Sequence, residues 1–214
     1  THRSTDEFDG AKLALERALV LFQAIGDRIG EGRCHGKLGE VHHYQGNRDS
    51  MSPHYVSAHS IAKQMNDRAA LARSLRARGW GHQECGEIDE GAVCFSTGLQ
   101  IARELGDREL EGAFVGALGV IEAERKNYEA AIALCEQTLI IGREQGDTRR
   151  EGQCRLNMAQ FYIELGRFDE AWDESERVEP LLTGSPGAQA LLGMIRGQVQ
   201  CHRGHFDDAH TLAQ

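Results

Sequence analysis

Gly106-Asp107-Arg108 is one of four copies of a short phrase that recurs every 40 residues along this chain of 214 residues. The other copies are Gly26-Asp27-Arg28, Asn66-Asp67-Arg68 and Gly146-Asp147. A fixed period of this length is typical of solenoid proteins, in which stacked repeats contact only their neighbours. We therefore expect a series of stacked repeats that offers an extended surface and no deep pocket.

Each repeat is predicted to contain two helices. In residues 108–147, apolar residues recur at helical spacing over 108–125 and again over 128–145. Gly146 can end the second helix, because glycine tolerates the positive φ of a helix C-cap. Asp147 can begin the next helix, because its short carboxylate accepts hydrogen bonds from free backbone N–H groups. The recurring Gly-Asp pair thus predicts a helix stop followed by a helix start.

Some glycines fall in the middle of predicted helices, where glycine normally weakens the helix. They recur at equivalent positions of the repeats, as Gly39, Gly79, Gly119 and Gly197. A residue without a side chain lets two helices approach closely, so we expect tight helix–helix contacts at these glycines.

Several of these features resemble the tetratricopeptide repeat. A leucine-glycine pair stands in the first helix, as Leu38-Gly39 and Leu118-Gly119, and a turn glycine precedes an aromatic residue and an acid in Gly166-Arg167-Phe168-Asp169. The 40-residue unit is similar to the long-helix repeats of kinesin light chains, of adaptors with Leu-Gly-Asn repeats and of bacterial maltose-activator-type regulators. The resemblance covers nearly the whole chain. It implies an all-α fold, a right-handed α-solenoid of antiparallel helix pairs.

On this resemblance, residues 1–214 form a single array. It would comprise a partial unit at 8–27, whole repeats at 28–67, 68–107, 108–147 and 148–187, and a partial repeat at 188–214. The ends of solenoids normally carry a polar capping face. Neither predicted end clearly does, so we expect the chain to be a fragment of a longer protein.

Two repeats depart from the pattern of the others. In repeat 28–67, Pro53 stands within the second helix. Proline is tolerated only near a helix start, so this helix is expected to begin late, near residues 50–52. Repeat 68–107 carries Arg78 where leucine is usual. We expect these two repeats to pack less well than the two that follow them.

Charge and hydropathy argue against two classes of partner. The net charge of −9 is unlike that of a nucleic-acid-binding protein, which needs a basic face. No stretch approaches the roughly 20 apolar residues that a membrane-spanning helix requires. We therefore expect a cytoplasmic protein with neither a nucleic-acid partner nor a membrane partner.

The sequence contains no motif for catalysis or for a cofactor. It has no phosphate-binding loop, and its ten histidines, among them His42-His43 and His54, lack the spacing of zinc motifs. The six cysteines form no C-x-x-C pair, and we expect them to be small core residues of a reduced protein. No catalytic residue, metal or cofactor is expected, and the chain is not expected to be an enzyme.

The resemblance also implies where a ligand would bind. In tetratricopeptide arrays the first helix of each repeat lines a concave face, and its inward columns can be read from the period. The candidate groove residues are Arg33, Glu40, His43, Tyr44, Arg73, Arg76, Trp80, Gln83, Glu84, Val120, Glu124, Gln153, Leu156 and Gln160.

Arginine and aromatic residues cluster among the N-terminal members of this set. Guanidinium groups bind carboxylates bidentately, and arginine and aromatic residues often anchor interfaces. Arg73, Arg76 and Trp80 therefore favour a peptide ligand with an acidic part and an apolar part. The alternative is that the arginines pair with local acids such as Glu40 and Glu84 on a solvated face.

The leading hypothesis is a non-catalytic protein–protein interaction scaffold, the sensor or adaptor part of a larger signalling or regulatory protein. Its partner would be a peptide, a partner domain or another domain of the parent chain. Only Asn157 matches the family's carboxylate clamp for chaperone tails, so such tails are disfavoured. The alternative function is a structural array that self-associates through uncapped terminal helices.

Overall fold

A computed structural model describes residues 2–45, 47–182, 186–202 and 204. These residues form ten α-helices and one 3-10 turn at Glu179–Leu181. The helices are α1 (His2–Ile25), α2 (Arg28–Tyr44), α3 (Arg48–Gln64), α4 (Arg68–Glu84), α5 (Ile88–Leu105), α6 (Arg108–Glu124), α7 (Tyr128–Gln145), α8 (Thr148–Glu164), α9 (Phe168–Val178) and α10 (Pro186–His202). Turns of two or three residues join α1 to α9, so successive helices run antiparallel.

The helices pack in two compact units, residues 1–110 (the N-terminal unit) and 111–214 (the C-terminal unit). In the N-terminal unit, each helix from α1 to α5 packs against the next. In the C-terminal unit, α8 packs between α7 and α9, and α10 contacts both α8 and α9. Packing in sequence order confirms the all-α class of helix pairs that the repeat predicted.

The aspartate of the recurring phrase caps the helix that follows it. Its Oδ1 accepts a hydrogen bond of 2.9 Å from the backbone N–H three residues later, at Asp27, Asp67, Asp107 and Asp147. The residue before each aspartate has a positive φ, from 52° to 74°. The predicted helix stop and helix start are therefore confirmed at all four copies.

Two of the mid-helix glycines stand against aromatic rings. A Cβ at Gly39 would lie 2.3 Å from the ring of Tyr55, and a Cβ at Gly79 would lie 2.3 Å from the ring of Phe95. The close approach that the sequence predicted is confirmed there. At Gly119 the nearest atom is Leu134 Cβ at 3.4 Å, so that contact is looser.

The prediction for the start of α3 was wrong. The helix begins at Arg48, before residues 50–52, and Pro53 is its sixth residue. Asn47 caps the helix, because its Oδ1 accepts a hydrogen bond of 3.3 Å from the Ser50 N–H. Pro53 is exposed to solvent, so its ring does not disturb the packed face and the helix continues through it.

The predicted boundaries at the two ends fare differently. Helix α1 begins at His2, earlier than the expected residue 8, because neither proline nor glycine interrupts residues 2–9. The last part of the predicted partial repeat at 188–214, residues 205–214, lies outside the described residues.

The cysteines divide between core and surface. Cys34, Cys94, Cys135 and Cys154 are buried, as expected of small core residues. Cys85 and Cys201 are exposed, and the expectation of a core position was wrong for them. Cys85 lies in the turn after α4 and Cys201 at the end of α10, where little of the chain covers them.

A buried ion pair lies within the C-terminal unit. Arg155 Nη1 donates a hydrogen bond of 2.6 Å to Glu174, and Arg155 Nη2 donates one of 2.9 Å to Glu151. Burial alone would lower the pKa of the Arg155 guanidinium, but hydrogen bonds to the two carboxylates raise it overall. The pair thus joins α8 to α9 in its charged form.

Candidate functional site

Helices α2, α3 and α4 of the N-terminal unit enclose a groove of about 460 Å³. Helix α3 supplies an apolar floor of largely buried side chains, and α2 and α4 supply the two walls. The floor consists of Tyr55, Ala58, Ile61 and Ala62, with Met65 at one end. These residues recur at helical spacing, which places them on one face of α3.

The walls of the groove are built from small residues, among them Gly36 on α2 and Ala70 and Ala77 on α4. A Cβ at Gly32 would lie 2.9 Å from Ile61, so at that position the wall rests directly on the floor. A Cβ at Gly36 would meet nothing within 4 Å. The space in front of Gly36 is therefore open and can receive an apolar group.

Charged side chains stand along both walls. Arg33 and Lys37 come from α2, and Arg73 comes from α4. Lys37 donates a hydrogen bond of 2.7 Å to Glu40. Within the described part of the chain, neither Arg33 nor Arg73 has a hydrogen-bond or ion-pair partner. Each wall therefore presents one guanidinium group that no local acid neutralises.

The acids that could have paired with these arginines are engaged elsewhere. Glu40 binds Lys37, and Glu84 lies 3.0 Å from His43. Arg76 also lacks a partner among the described residues, but it does not line the groove. Because Glu40 and Glu84 have other partners, they leave Arg33 and Arg73 available to a ligand.

The structure separates the remaining candidates of the N-terminal unit from this groove. Trp80 packs edge to face against Phe95 at 5.0 Å between ring centroids. His43, Gln83 and Glu84 lie near the C-terminal ends of α2 and α4, outside the groove lining. The side chain of Tyr44 is not among those described.

Three candidates of the C-terminal unit line a shallow depression of about 370 Å³. They are Val120 and Glu124 on α6 and Gln160 on α8. Gln153 is exposed and donates a hydrogen bond of 3.0 Å to Asn157. Leu156 is only 1% exposed and packs in the core with Val178 and Ile195. Leu156 is therefore a core residue and does not lie on a surface that a ligand could reach.

The floor of the groove and Lys37 were not predicted from the sequence. The repeat columns placed the lining on the first helix of each repeat, whereas Tyr55, Ala58 and Ile61 come from the second helix. Their helical spacing was visible in the sequence. That spacing marks a packed face, however, and does not reveal which part of the face stays uncovered.

A serine–histidine contact lies beside the groove. Ser74 Oγ donates a hydrogen bond of 2.7 Å to the Leu71 carbonyl, and His59 Nδ1 lies 3.1 Å from Ser74 Oγ. With the single serine proton directed to the carbonyl, His59 donates to Ser74 Oγ, so this contact does not by itself indicate a catalytic pair.

The described residues also bear on metal sites and on membrane-spanning helices. Among the described histidine, cysteine, aspartate and glutamate residues, no group of three or more is placed to hold a metal ion. In that same part of the chain, every helix is too short or too polar to cross a membrane.

No protein-family model and no curated protein sequence matches this chain. Solved structures do match. The chain is similar to BtubC (BKLC) from P. vanneervenii, with a TM-score of 0.80 at 16% identity over 96% of this chain and 87% of that one. It is also similar to a Rap protein complexed with Competence and Sporulation Factor, with a TM-score of 0.80 at 14% identity over 98% of this chain and 63% of that one.

A third similar structure is itself a repeat protein. The putative kinesin light chain TPR-like repeats of Podosopora anserina match with a TM-score of 0.68 at 14% identity, over 84% of this chain and 90% of that one. Such identities establish a shared fold and nothing finer. The chain therefore has the fold of a tetratricopeptide-type helical repeat array, as the columns of its sequence predicted.

Proposed function

We propose that this chain is a non-catalytic protein-interaction scaffold whose N-terminal groove binds a peptide or an exposed segment of a partner domain. The observation that carries the proposal is an apolar floor flanked by Arg33 and Arg73, which stand on opposite walls and have no partner among the described residues. The ligand that fits carries an acidic group beside an apolar side chain.

Each part of the ligand has its own source of affinity. An apolar side chain seated over Tyr55 and Ile61 removes apolar surface from water, which is worth about 25 cal/mol per Å². A carboxylate between the walls makes charge-assisted hydrogen bonds with Arg33 or Arg73, which are about twice as strong as neutral ones. A purely apolar segment or a purely acidic segment makes only one of these two kinds of contact. The groove therefore discriminates against both kinds of segment.

The wider setting that we propose is the sensor or adaptor part of a larger cytoplasmic signalling or regulatory protein. Support comes from the fold, which this chain shares with a Rap protein solved in complex with Competence and Sporulation Factor and with kinesin light chain repeats. The segment in the groove can belong to another protein or to another domain of the parent chain. The groove chemistry is the same in both cases.

Charge reversal of the two groove arginines tests the proposal. A random-peptide phage library selected on the wild-type protein should yield peptides that combine Asp or Glu with Leu, Ile or Phe. The Arg33→Glu/Arg73→Glu variant should bind these peptides at least tenfold more weakly, because each lost bond to a charged group contributes about 1.5–3 kcal/mol. The affinities are measured by isothermal titration calorimetry.

Two further variants make the test specific. Arg76→Glu changes the same charge on the same helix outside the groove, and it should leave the affinity within a factor of about two. Gly36→Leu should fill the open space and also abolish binding, while the protein remains folded. Peptides that bind the double variant as tightly as wild type would contradict the groove as the binding surface.

A second candidate function, self-association, is favoured by helix α1. Its residues Leu13, Val20, Leu21 and Ile25 are 49–73% exposed and recur at helical spacing along one stripe. Exposed apolar stripes mark association surfaces. If α1 associates, sedimentation velocity should give a mass that rises with concentration, and Leu21→Lys/Ile25→Lys should remove the rise. One constant monomer mass across the series would reject this candidate.

A further inference from the structure

Three histidines of the N-terminal unit form a cluster that the sequence does not mark as a motif. His35 and His42 lie on α2, and His54 lies on α3. His35 Nδ1 and His54 Nδ1 are 2.9 Å apart. The rings of His42 and His54 are stacked, with centroids 5.5 Å apart and an angle of 11° between the planes. These three residues are called the histidine cluster below.

His42 is the buried member of the histidine cluster and lacks a hydrogen-bond partner for one ring nitrogen. His42 is only 4% exposed, and its Nδ1 is a buried atom without a hydrogen-bond partner. His35 and His54 are half-buried. A protonated His42 would therefore place an N–H and a full charge where nothing in the described part of the chain accepts them, which is strongly unfavourable.

Among the described residues, the acids near the cluster are already paired with cations. From α1, Lys12 and Glu16 face His42 and His54, and they pair with each other at 4.0 Å. From α2, Arg28 and Glu31 face His35 and also pair with each other. Among the described side chains of α3, the titratable group that faces the cluster is His54 itself. Glu16 and Glu31 thus each already have a cation, which weakens their attraction for a charged imidazole.

The contact between His35 and His54 also disfavours protonation of both rings at the same time. A hydrogen bond between two Nδ1 atoms needs one protonated nitrogen and one free lone pair. If both rings carry a proton on Nδ1, two N–H groups face each other at 2.9 Å and the contact becomes repulsive. The observed packing of α2 on α3 is therefore compatible with a neutral cluster and incompatible with a fully protonated one.

We propose that the histidine cluster is a proton-sensitive joint, in which neutral rings hold α1, α2 and α3 together and protonation in mildly acidic solution loosens their packing. The joint needs no ligand in the groove in order to respond to protons. It would make the local stability of the N-terminal unit respond to pH in a range where few other side chains titrate.

The direction of the effect follows from the pKa shifts. Burial lowers the pKa of His35, His42 and His54 below the ordinary value of 6.5, and the neighbouring rings lower that of His54 further. Below pH 6.5 the unfolded chain therefore binds more protons than the folded one. Stability is full above pH 6.5 and falls with pH until the folded rings are protonated. Burial also lowers the pKa of His59, which adds to the same trend.

The experiment compares the intact chain with a variant whose cluster cannot ionise. NMR titration of the imidazole ¹³C–¹H signals should place the midpoints of the three cluster histidines below the ordinary value of 6.5. Hydrogen-exchange protection in α1–α3, corrected for the intrinsic exchange rate, should fall between pH 7.5 and pH 5.5. The fall should be about tenfold for each unit by which folding lowers the pKa of a cluster histidine. Protection in α7–α8 should fall less.

Variants with matched volume complete the test. His42→Phe/His54→Phe keeps the ring stack and should lose most of the pH dependence in α1–α3, whereas His202→Gln should keep all of it. The proposal is overturned if the cluster titrates at or above pH 6.5, or if wild type and the double variant lose equal protection at pH 5.5. Should the double variant fail to fold, the titration of the wild-type histidines decides alone.

Discussion

Replacing Arg155 by methionine is expected to destabilise the C-terminal unit by about 3–5 kcal/mol, the usual effect of breaking a buried ion pair. The Arg155 and Glu174 side chains are only 8% and 7% exposed. Without the guanidinium, the buried Glu174 carboxylate keeps one cation, Arg177, whose side chain is 58% exposed. Most of the desolvation of Glu174 would then go uncompensated.

Two further variants separate the charge from the packing. Arg155→Met/Glu174→Leu should recover most of the lost stability, because apolar residues of similar volume often replace a buried pair without loss. Arg177→Met, which removes only the exposed partner of Glu174, should cost at most about 1 kcal/mol. Urea unfolding followed by the fluorescence of Trp172, with Trp80→Phe as background, reports on the C-terminal unit. A single variant as stable as the double one would disprove the account.

The second large effect is expected at Gly39, where alanine should destabilise the N-terminal unit by about 1–3 kcal/mol, as overpacking of a core does. The new Cβ would lie 2.3 Å from the Tyr55 ring. Tyr55 is itself a buried part of the groove floor, so its ring cannot move away from Gly39 without disturbing the side chains packed around it. The helix and the ring must therefore move apart.

Gly36, three residues earlier on the same helix, is the matched control. Its Cβ would meet nothing within 4 Å, so alanine there should stabilise the helix by about 0.5–1 kcal/mol. The same substitution is thus expected to have opposite signs at two sites of α2. Urea unfolding followed by Trp80, with Trp172→Phe as background, measures both. Equal effects at Gly36 and Gly39 would show that helix propensity, and not the Tyr55 contact, determines the outcome.

Local chemistry explains which parts of the fold could be predicted. The Gly-Asp stops and starts act over a few residues, so the sequence placed the turns at Asp27, Asp67, Asp107 and Asp147 correctly. The start of α3 was misplaced because the rule against proline ignored the Asn47 cap and the solvent-facing position of Pro53. A rule based on proline alone fails where a neighbouring residue caps the helix and the proline ring faces solvent.

The candidate site was less accessible to sequence reasoning, because it depends on which surfaces remain uncovered after packing. Arg33 and Arg73 were found by repeat position, and both stand on the groove walls. Trp80 was assigned to the same face, but it turns to Phe95. The histidine cluster was missed because it joins two helices. The spacing of seven between His35 and His42 shows only that those two share a face of α2.

The uniform caps have a consequence for how such a chain can change length. Every boundary at Asp27, Asp67, Asp107 and Asp147 is closed by the same 2.9 Å bond, so the boundaries are chemically interchangeable. A gene duplication or deletion that joins one boundary to another would leave each helix with its own stop and its own start. A rearrangement of any other length would leave a helix end without its capping residue. The chain can therefore gain or lose whole repeats without a new turn sequence, whereas any other change of length requires one.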